Sequence, residues 1–454
     1  MPASKGMILI GRVIDGSLKA PIPRGAVVTE GEKIAWVGSA DALPPRYAAP
    51  AHEVIDLPGR SIMPGLVDGH THISFGESRS EEENALYTPP EFRTLKAIYY
   101  AKKVLQAGVT SAFDAATTYG VAQAVRDAID TDMFEGPRFT VSGKQITNHQ
   151  GLEDSFPSWM EFPVGQSAVL VKTKEDIVEA IRLQVKDEVD AIKVSGSNDN
   201  LITPDAQDTS AFTLEELQVI TAETHRLGKI CSVHARSRDS SRDAAIAGFD
   251  NLFHASYIDE AGIEACLKNS SVITPTLTLL VNLIEANTNG LAGASGADAF
   301  KREVDAASTN LRRAFDAGVP LIAGSESGWS PVPYGQWHAR EMEIFVKLLG
   351  LTPLQAIHAN TLGATRLLAL RYRHMVGLLE PGRFADILVV PGDPTQDITI
   401  LQRPASFDYI FKGGKAIDRT PPAPRRRKWY ERTKTFLDGL YEFDEATGRG
   451  RLVP

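Results

Sequence analysis

Polar and apolar positions divide the 454-residue chain into three textures. Near 7–13, 26–29, 33–37 and 53–56, short apolar or alternating runs are broken by Gly, Pro and Asp, which predicts strands separated by turns. The same texture returns at 385–390 and 409–412, with Pro381-Gly382-Arg383 before the first and Gly413-Gly414 after the second. β-rich segments at both ends predict one small β-sandwich domain assembled from residues 1–60 and 373–420. Between them, apolar runs near 61–72, 110–117, 137–143, 190–196, 229–235, 251–255, 272–278 and 320–325 alternate with amphipathic helical stretches. One such helix covers 213–227, with Thr213 as N-cap and Glu215 and Glu216 in its first turn. Strands alternating with helices imply a parallel sheet, and eight such units fit an α/β fold, a (β/α)8 TIM barrel over 61–372. The alternative, a doubly wound sheet, would usually carry a Gly-rich phosphate turn after an early strand. The sequence has none.

The third texture is the tail, 421–454. Pro421-Pro422-Ala423-Pro424 is a stiff linker, followed by Arg425-Arg426-Arg427-Lys428 and an amphipathic stretch to about 442. A surface-packed helix is the favoured reading, and an oligomer arm or lid the alternative. Residues 77–95, with Glu81-Glu82-Glu83 and Pro89-Pro90, predict a long loop that shapes access to the barrel mouth.

Composition narrows the classes. With 43% hydrophobic and 23% charged residues the chain suits a soluble globular protein. A net charge of −9 argues against nucleic acid, whose phosphates need a basic surface. Cys231 and Cys266 cannot build a disulfide framework and fit a reducing compartment. Met7-Ile8-Leu9-Ile10 is too short for a signal-peptide core, and no apolar run approaches membrane-spanning length. The expectation is a cytoplasmic enzyme with no membrane partner.

The chemistry concentrates at predicted strand ends. In Met63-Pro64-Gly65-Leu66-Val67-Asp68-Gly69-His70-Thr71-His72, His70 and His72 share one side of a strand and point together toward the barrel axis. Two imidazoles held that way are ready metal ligands. His234 and His254 close two later apolar strands at the same end of the barrel. Each alone reads as a core histidine; four at three strand ends do not. Lys193 lies inside Asp190-Ala191-Ile192-Lys193-Val194-Ser195, where an ammonium is costly to bury. It needs either a salt-bridge partner at the rim or a chemical change, and carboxylation by CO2 would make it an anionic oxygen ligand.

His70-Thr71-His72, Lys193, His234, His254 and the end of the eighth strand together resemble the amidohydrolase superfamily. The nearest branch is the imidazolonepropionase-like, metal-dependent amidases and dipeptidases with a carboxylated lysine. The likeness covers roughly residues 7–420 and includes Gly25-Ala26-Val27-Val28, Ile34-Ala35-Trp36-Val37-Gly38, Pro381-Gly382-Arg383-Phe384-Ala385-Asp386 and Phe411-Lys412-Gly413-Gly414. It implies two divalent ions, with zinc the best match and manganese or cobalt also compatible. His70 and His72 would hold one ion, His234 and His254 the other, with carboxylated Lys193 as bridge. It further implies hydrolysis by a hydroxide between the ions, and assembly into homo-oligomers.

The family places an aspartate at the end of the eighth strand as ligand and proton shuttle. Here the sequence reads Ala323-Gly324-Ser325-Glu326-Ser327. The extra methylene moves the carboxylate by about 1.5 Å. Glu326 either reaches the metals from a shifted backbone, or silences the enzyme, or acts only as base with a water filling the gap. His149, in Thr147-Asn148-His149-Gln150-Gly151, is similar to a family histidine that lines the pocket and binds the substrate carbonyl; a surface loop histidine is the alternative. Arg236, two residues beyond His234, and Lys144 are read as anchors for a substrate carboxylate, with surface salt bridges the alternative. His52, His225, His338, His358 and His374 read as structural.

The favoured activity is hydrolysis of a C–N amide bond in a dipeptide, N-acyl amino acid or similar small amide. Opening of a cyclic amide, imide or lactone would use the same site. A metal-binding barrel without turnover is the reading that Glu326 keeps open.

Overall fold

A computed structural model describes residues 6–47, 52–149, 151–199, 210–288, 297–428, 431 and 439–453. The strands predicted near the N-terminus resolve into β1 (Gly6–Val13), β2 (Ile22–Glu30), β3 (Lys33–Ser39) and β4 (His52–Pro64). The central strands are β5 (Leu66–Thr71), β6 (Val109–Asp114), β7 (Arg138–Val141), β8 (Gln145–Thr147), β9 (Ala168–Leu170), β10 (Ala191–Ser195), β11 (Ile230–Ala235), β12 (Asn251–His254) and β13 (Val272–Thr274). After them come β14 (Ile387–Pro391), β15 (Tyr409–Lys412), β16 (Lys415–Ala416), β17 (Leu440–Asp444) and β18 (Arg449–Val453).

The N-terminal strands and the strands within 387–416 meet in one seven-stranded sheet ordered β16-β15-β14-β4-β1-β2-β3. The expected sandwich is therefore one continuous hydrogen-bonded sheet with an apolar layer on each face. Leu9, Val27, Ile62 and Val389 pack on one side, and Ile8, Ala26 and Val28 on the other. The period of two in these strands makes both layers possible.

The central strands form the barrel wall. β5-β6-β7 and β8-β10-β11-β12-β13 run parallel within each group, and β9 lies beside β8. Backbone bonds join the groups: Asp190 N donates to Val141 O at 2.8 Å, Ile322 N to Ile273 O at 2.8 Å, and Gly69 N to Ala323 O at 2.9 Å. The segment 321–323 thus takes the eighth position, between β13 and β5. Val67, Phe113, Ala191, Phe253, Val272 and Ile322 fill one interior layer with almost no exposure. The barrel is a packed core, and its chemistry must lie at the strand ends.

The helix Leu214–Arg226 has the predicted cap: Thr213 accepts from Glu216 N while the Glu216 side chain accepts from Thr213 N. The loop expected over 77–95 is shorter, because Pro90 opens the helix Pro90–Gln106 at a position where its missing N–H costs nothing. The described part of the tail is not a surface helix. It is extended from 421 to 428 and ends in the β17–β18 hairpin. Tyr441 there stacks on Trp337 with centroids 5.7 Å apart, and Trp337 Nε1 donates to Tyr441 O at 2.6 Å. Residues 429–430 and 432–438 of the predicted amphipathic stretch lie outside the described residues. Among the described residues no helix is long and apolar enough to cross a membrane.

Candidate metal centre

Strand register sets the site. Ser195 pairs with His234 across β10–β11, and Ala235 with His254 across β11–β12, so these strands deliver their last residues to one end of the barrel. His70 and His72 arrive there from β5. Their ring centroids are 5.0 Å apart, and His254 lies 5.5 Å from His70 and 4.6 Å from His234. All four imidazoles are buried.

Glu326 faces them. Its Oε2 lies 3.8 Å from His70 Nδ1 and 3.9 Å from His254 Nδ1, and its Oε1 lies 3.8 Å from His72 Nε2. These distances exceed a hydrogen bond, but suit donors about 2.0–2.2 Å from a shared ion. Both His70 nitrogens, His254 Nε2 and Glu326 Oε2 are buried without a hydrogen-bond partner. Such groups are rare unless something absent from the protein chain satisfies them. His70, His72 and Glu326 place one ligand atom each within 4.8 Å of one another. Burial, then the charge of Lys193, pushes the His70 pKa well down; burial, then Arg236, does so for His234 and His254. Neutral imidazoles result, the form that binds metal. Burial works against the Glu326 anion, but the facing His72 outweighs it and holds the carboxyl below its ordinary range. The residues fit a divalent metal.

Glu326 is held by its own backbone. It adopts φ +61, left-handed and unusual for a side chain of this size, and its N–H donates to His70 O at 2.7 Å. His254 is also left-handed, at φ +70, and Thr276 Oγ1 lies 2.7 Å from its Nδ1. Lys193 is buried, with Nζ 3.9 Å from the Phe253 ring centroid. Among the described residues no carboxylate lies within ion-pair distance of it. Burial brings its ammonium down to about 7.

His338 and Asp68 belong behind this site, a role the sequence reading missed for both. Gly335 N donates to His338 Nε2 at 3.0 Å, so the ring proton sits on Nδ1 and points at Asp68 Oδ2, 2.7 Å away. Asp68 Oδ1 accepts from His70 N and Ser325 N, each at 3.0 Å. One buried carboxylate therefore ties the first strand to the eighth beside their ligands. Asp68→Ala would strand three buried donors and is expected to destabilise the fold by about 3 kcal/mol or more. Thermal unfolding checks this, and an unchanged Tm would refute it.

Three expected substrate contacts take other positions. His149 is 62% exposed on its side chain and faces Asp154 at 3.2 Å. Its turn does reach the cavity, but through Leu152 and Glu153. Arg236 does not share the direction of His234, because the strand ends at Ala235 and Ser237 caps the next helix. Its guanidinium binds Asp199 at 2.8 Å and Glu303 at 2.6 Å. Lys144 donates to Val164 O at 2.7 Å, away from the cavity. The cavity is lined instead by Phe75, Glu81, Gln145, Glu153, Asp199, Leu279 and Trp329 around the histidines, Lys193 and Glu326. It has about 40 Å³ of free volume, room for only a few waters.

The profile of the Amidohydrolase family matches residues 61–417. The chain belongs to that family. Residues 25–49 also match an imidazolonepropionase-like composite domain of bacteria. This amidohydrolase is 27% identical to ochratoxinase from Aspergillus niger over 424 residues, 90% of this chain and 86% of the relative. It is 29% identical to imidazolonepropionase from Paracoccus denitrificans over 390 residues, 81% and 88% of the two chains. The crystal structure of the A. niger ochratoxinase superposes with a TM-score of 0.80 at 26% identity, covering 91% of this chain and 95% of that one. A Xaa-Pro dipeptidase with bound methionine shares the fold at 23% identity and a TM-score of 0.78, over 91% of this chain and 100% of that one. Together, these likenesses make the chain a metal-dependent hydrolase of C–N bonds.

Proposed function

We propose that this amidohydrolase cleaves the amide bond of a small molecule at a pair of divalent ions. His70 and His72 would hold one ion, His234 and His254 the other, and carboxylated Lys193 and Glu326 would complete the ligand set. The observation that carries this reading is the convergence of buried, unpartnered His and Glu atoms at the ends of β5, β12 and the eighth strand. Imidazole and carboxylate donors favour zinc. Ions bound there would polarise the scissile carbonyl and acidify water.

The protein's own groups supply the rest. Lys193 reacts as the free amine: its nitrogen bonds to the carbon of CO2 and loses a proton, leaving an anionic carbamate. The absence of a carboxylate partner for it among the described residues supports this change. Glu326 takes a proton from the attacking water and delivers it to the leaving nitrogen as the C–N bond breaks. Phe75, Leu279 and Trp329 wall off bulk water, which strengthens each charge–charge interaction inside.

The test is metal content per chain, measured by elemental mass spectrometry on protein purified with bicarbonate and without chelators. Close to two ions is expected, together with release of a free amine from an amide panel. Lys193→Met is expected to fall below one ion per chain and lose turnover. Full metal content in that variant would remove the lysine from the ligand set.

A further inference from the structure

Glu81 and Glu153 stand in the same cavity as the histidines and Lys193, and the mechanism uses neither. Glu153 is 3% exposed. Its Oε1 accepts from Gln145 Nε2 at 3.0 Å, while its Oε2 is buried with no hydrogen-bond partner. Glu81 Oε2 is likewise shielded and unpartnered. Among the described residues no lysine or arginine nitrogen lies within 4.0 Å of either carboxylate. Of the cations nearby, Arg236 is held between Asp199 and Glu303 and Lys144 by a backbone carbonyl, while Lys193, whose charge acts on Glu153 across the cavity, would lose that charge on carboxylation. Burial pushes both carboxyls up, Glu153 to about 7, and Glu153 raises Glu81 further. A buried carboxylate at Glu153 and a partly shielded one at Glu81, with no ion-pair partner within 4.0 Å among the described residues, are expensive. A cation seated between them would relieve that cost, and a substrate carboxylate would add to it.

We infer that Glu81 and Glu153 form a subsite for a protonated amine, so that the substrate is an amide carrying a primary ammonium group. This rests on the amide-hydrolase reading and refines its substrate class. It reverses the carboxylate-anchoring polarity expected from the sequence for Arg236 and Lys144. Charge-assisted hydrogen bonds to a buried carboxylate contribute enough to separate a cation from its neutral isostere by about 10-fold or more.

The experiment is titration calorimetry on the metal-loaded protein with L-lysinamide, L-norleucinamide and N-acetyl-L-norleucinamide. Product analysis of each titrated sample separates binding heat from any heat of hydrolysis. Affinity is expected to follow positive charge, with the acetylated amide at least 10-fold weaker than lysinamide. Glu153→Gln is expected to abolish that ratio and Glu153→Asp to keep part of it, which a general loss of packing would not do. Equal or tighter binding of the acetylated amide overturns the inference. So does a third equivalent of metal that disappears in Glu153→Gln, since the carboxylates would then belong to an ion. If charge-dependent binding appears but no amide is cleaved, the subsite stands and the amide-hydrolase reading falls.

Discussion

Glu326→Gln is expected to lower kcat by about 10³-fold, within the usual range for removing a general base. The amide keeps the shape but cannot accept the water's proton, and it is a poor ligand. Glu326→Asp is the sharper comparison, because it introduces the aspartate that the family resemblance implies at this position. The main chain here is pinned: Glu326 N donates to His70 O at 2.7 Å, and φ is +61. A shorter side chain cannot advance, so its carboxylate retreats by about 1.5 Å. Displacements of about 1 Å at a reacting centre cost on the order of 10²-fold, and that is the loss expected for Glu326→Asp. Steady-state kinetics on a cleaved amide, with metal content measured beside it, decides the matter. An aspartate variant as fast as the parent would show that the pinned backbone does not set the carboxylate's position, and one much faster would mean that the glutamate impairs the enzyme.

The second large effect lies in the tail. Glu431 is fully buried and accepts from Lys96 Nζ at 2.7 Å, from Arg425 at 2.7 and 3.0 Å, and from Lys428 N at 2.6 Å. Arg427, beside it, reaches Glu77 at 3.6 Å. The tail is thus strapped to the helix Pro90–Gln106 and to the segment that leads into Glu81. Glu431→Ala leaves Lys96 and Arg425 without their counter-charge, and breaking a buried pair of this kind costs about 3–5 kcal/mol. A drop in Tm should follow, and cleavage in the 77–87 segment by added protease should become faster. The same carboxylate predicts an acid limit. Burial opposes its charge, but Arg425 and then Lys96 outweigh that and hold it down to about 2, against about 4.3 unfolded. A depressed carboxyl stabilises fully above its unfolded value and loses that contribution as pH falls through its folded one. Acid unfolding of the parent between about pH 4 and 2 should therefore be steeper than that of Glu431→Gln. Identical acid limbs would show that the strap contributes nothing.

The site was legible where strand geometry alone decides direction. His70 and His72 are two apart on a strand, and Lys193, His234 and His254 sit in or at the ends of apolar runs, so period and burial pointed to them. Arg236 shows the limit. The two-residue rule held to Ala235 and failed one residue later, where the chain turned into a helix cap. His149 and Glu153 share one turn, and which of them faces inward depends on tertiary packing that no local pattern encodes. Asp68 and His338 are 270 residues apart, and only the tertiary fold brings them together. The barrel was readable from its alternation. The tail was not, because amphipathic spacing over a few residues serves a strand hairpin as well as a helix.

The terminal sheet also fixes an order of events on the ribosome. Met63 of β4 pairs with Leu388 of β14, and β5 leaves β4 after a single residue. A nascent chain that has just released β4 must wait for β14, a delay of roughly 15 to 65 s at ordinary elongation rates. Throughout that interval β4 keeps an open edge, and for most of it β5, carrying His70 and His72, has none of its eighth-strand bonds. Open edges of this kind invite pairing with other chains. Yield in a cell should therefore depend on holdase chaperones and elongation speed more than on the final stability of the barrel.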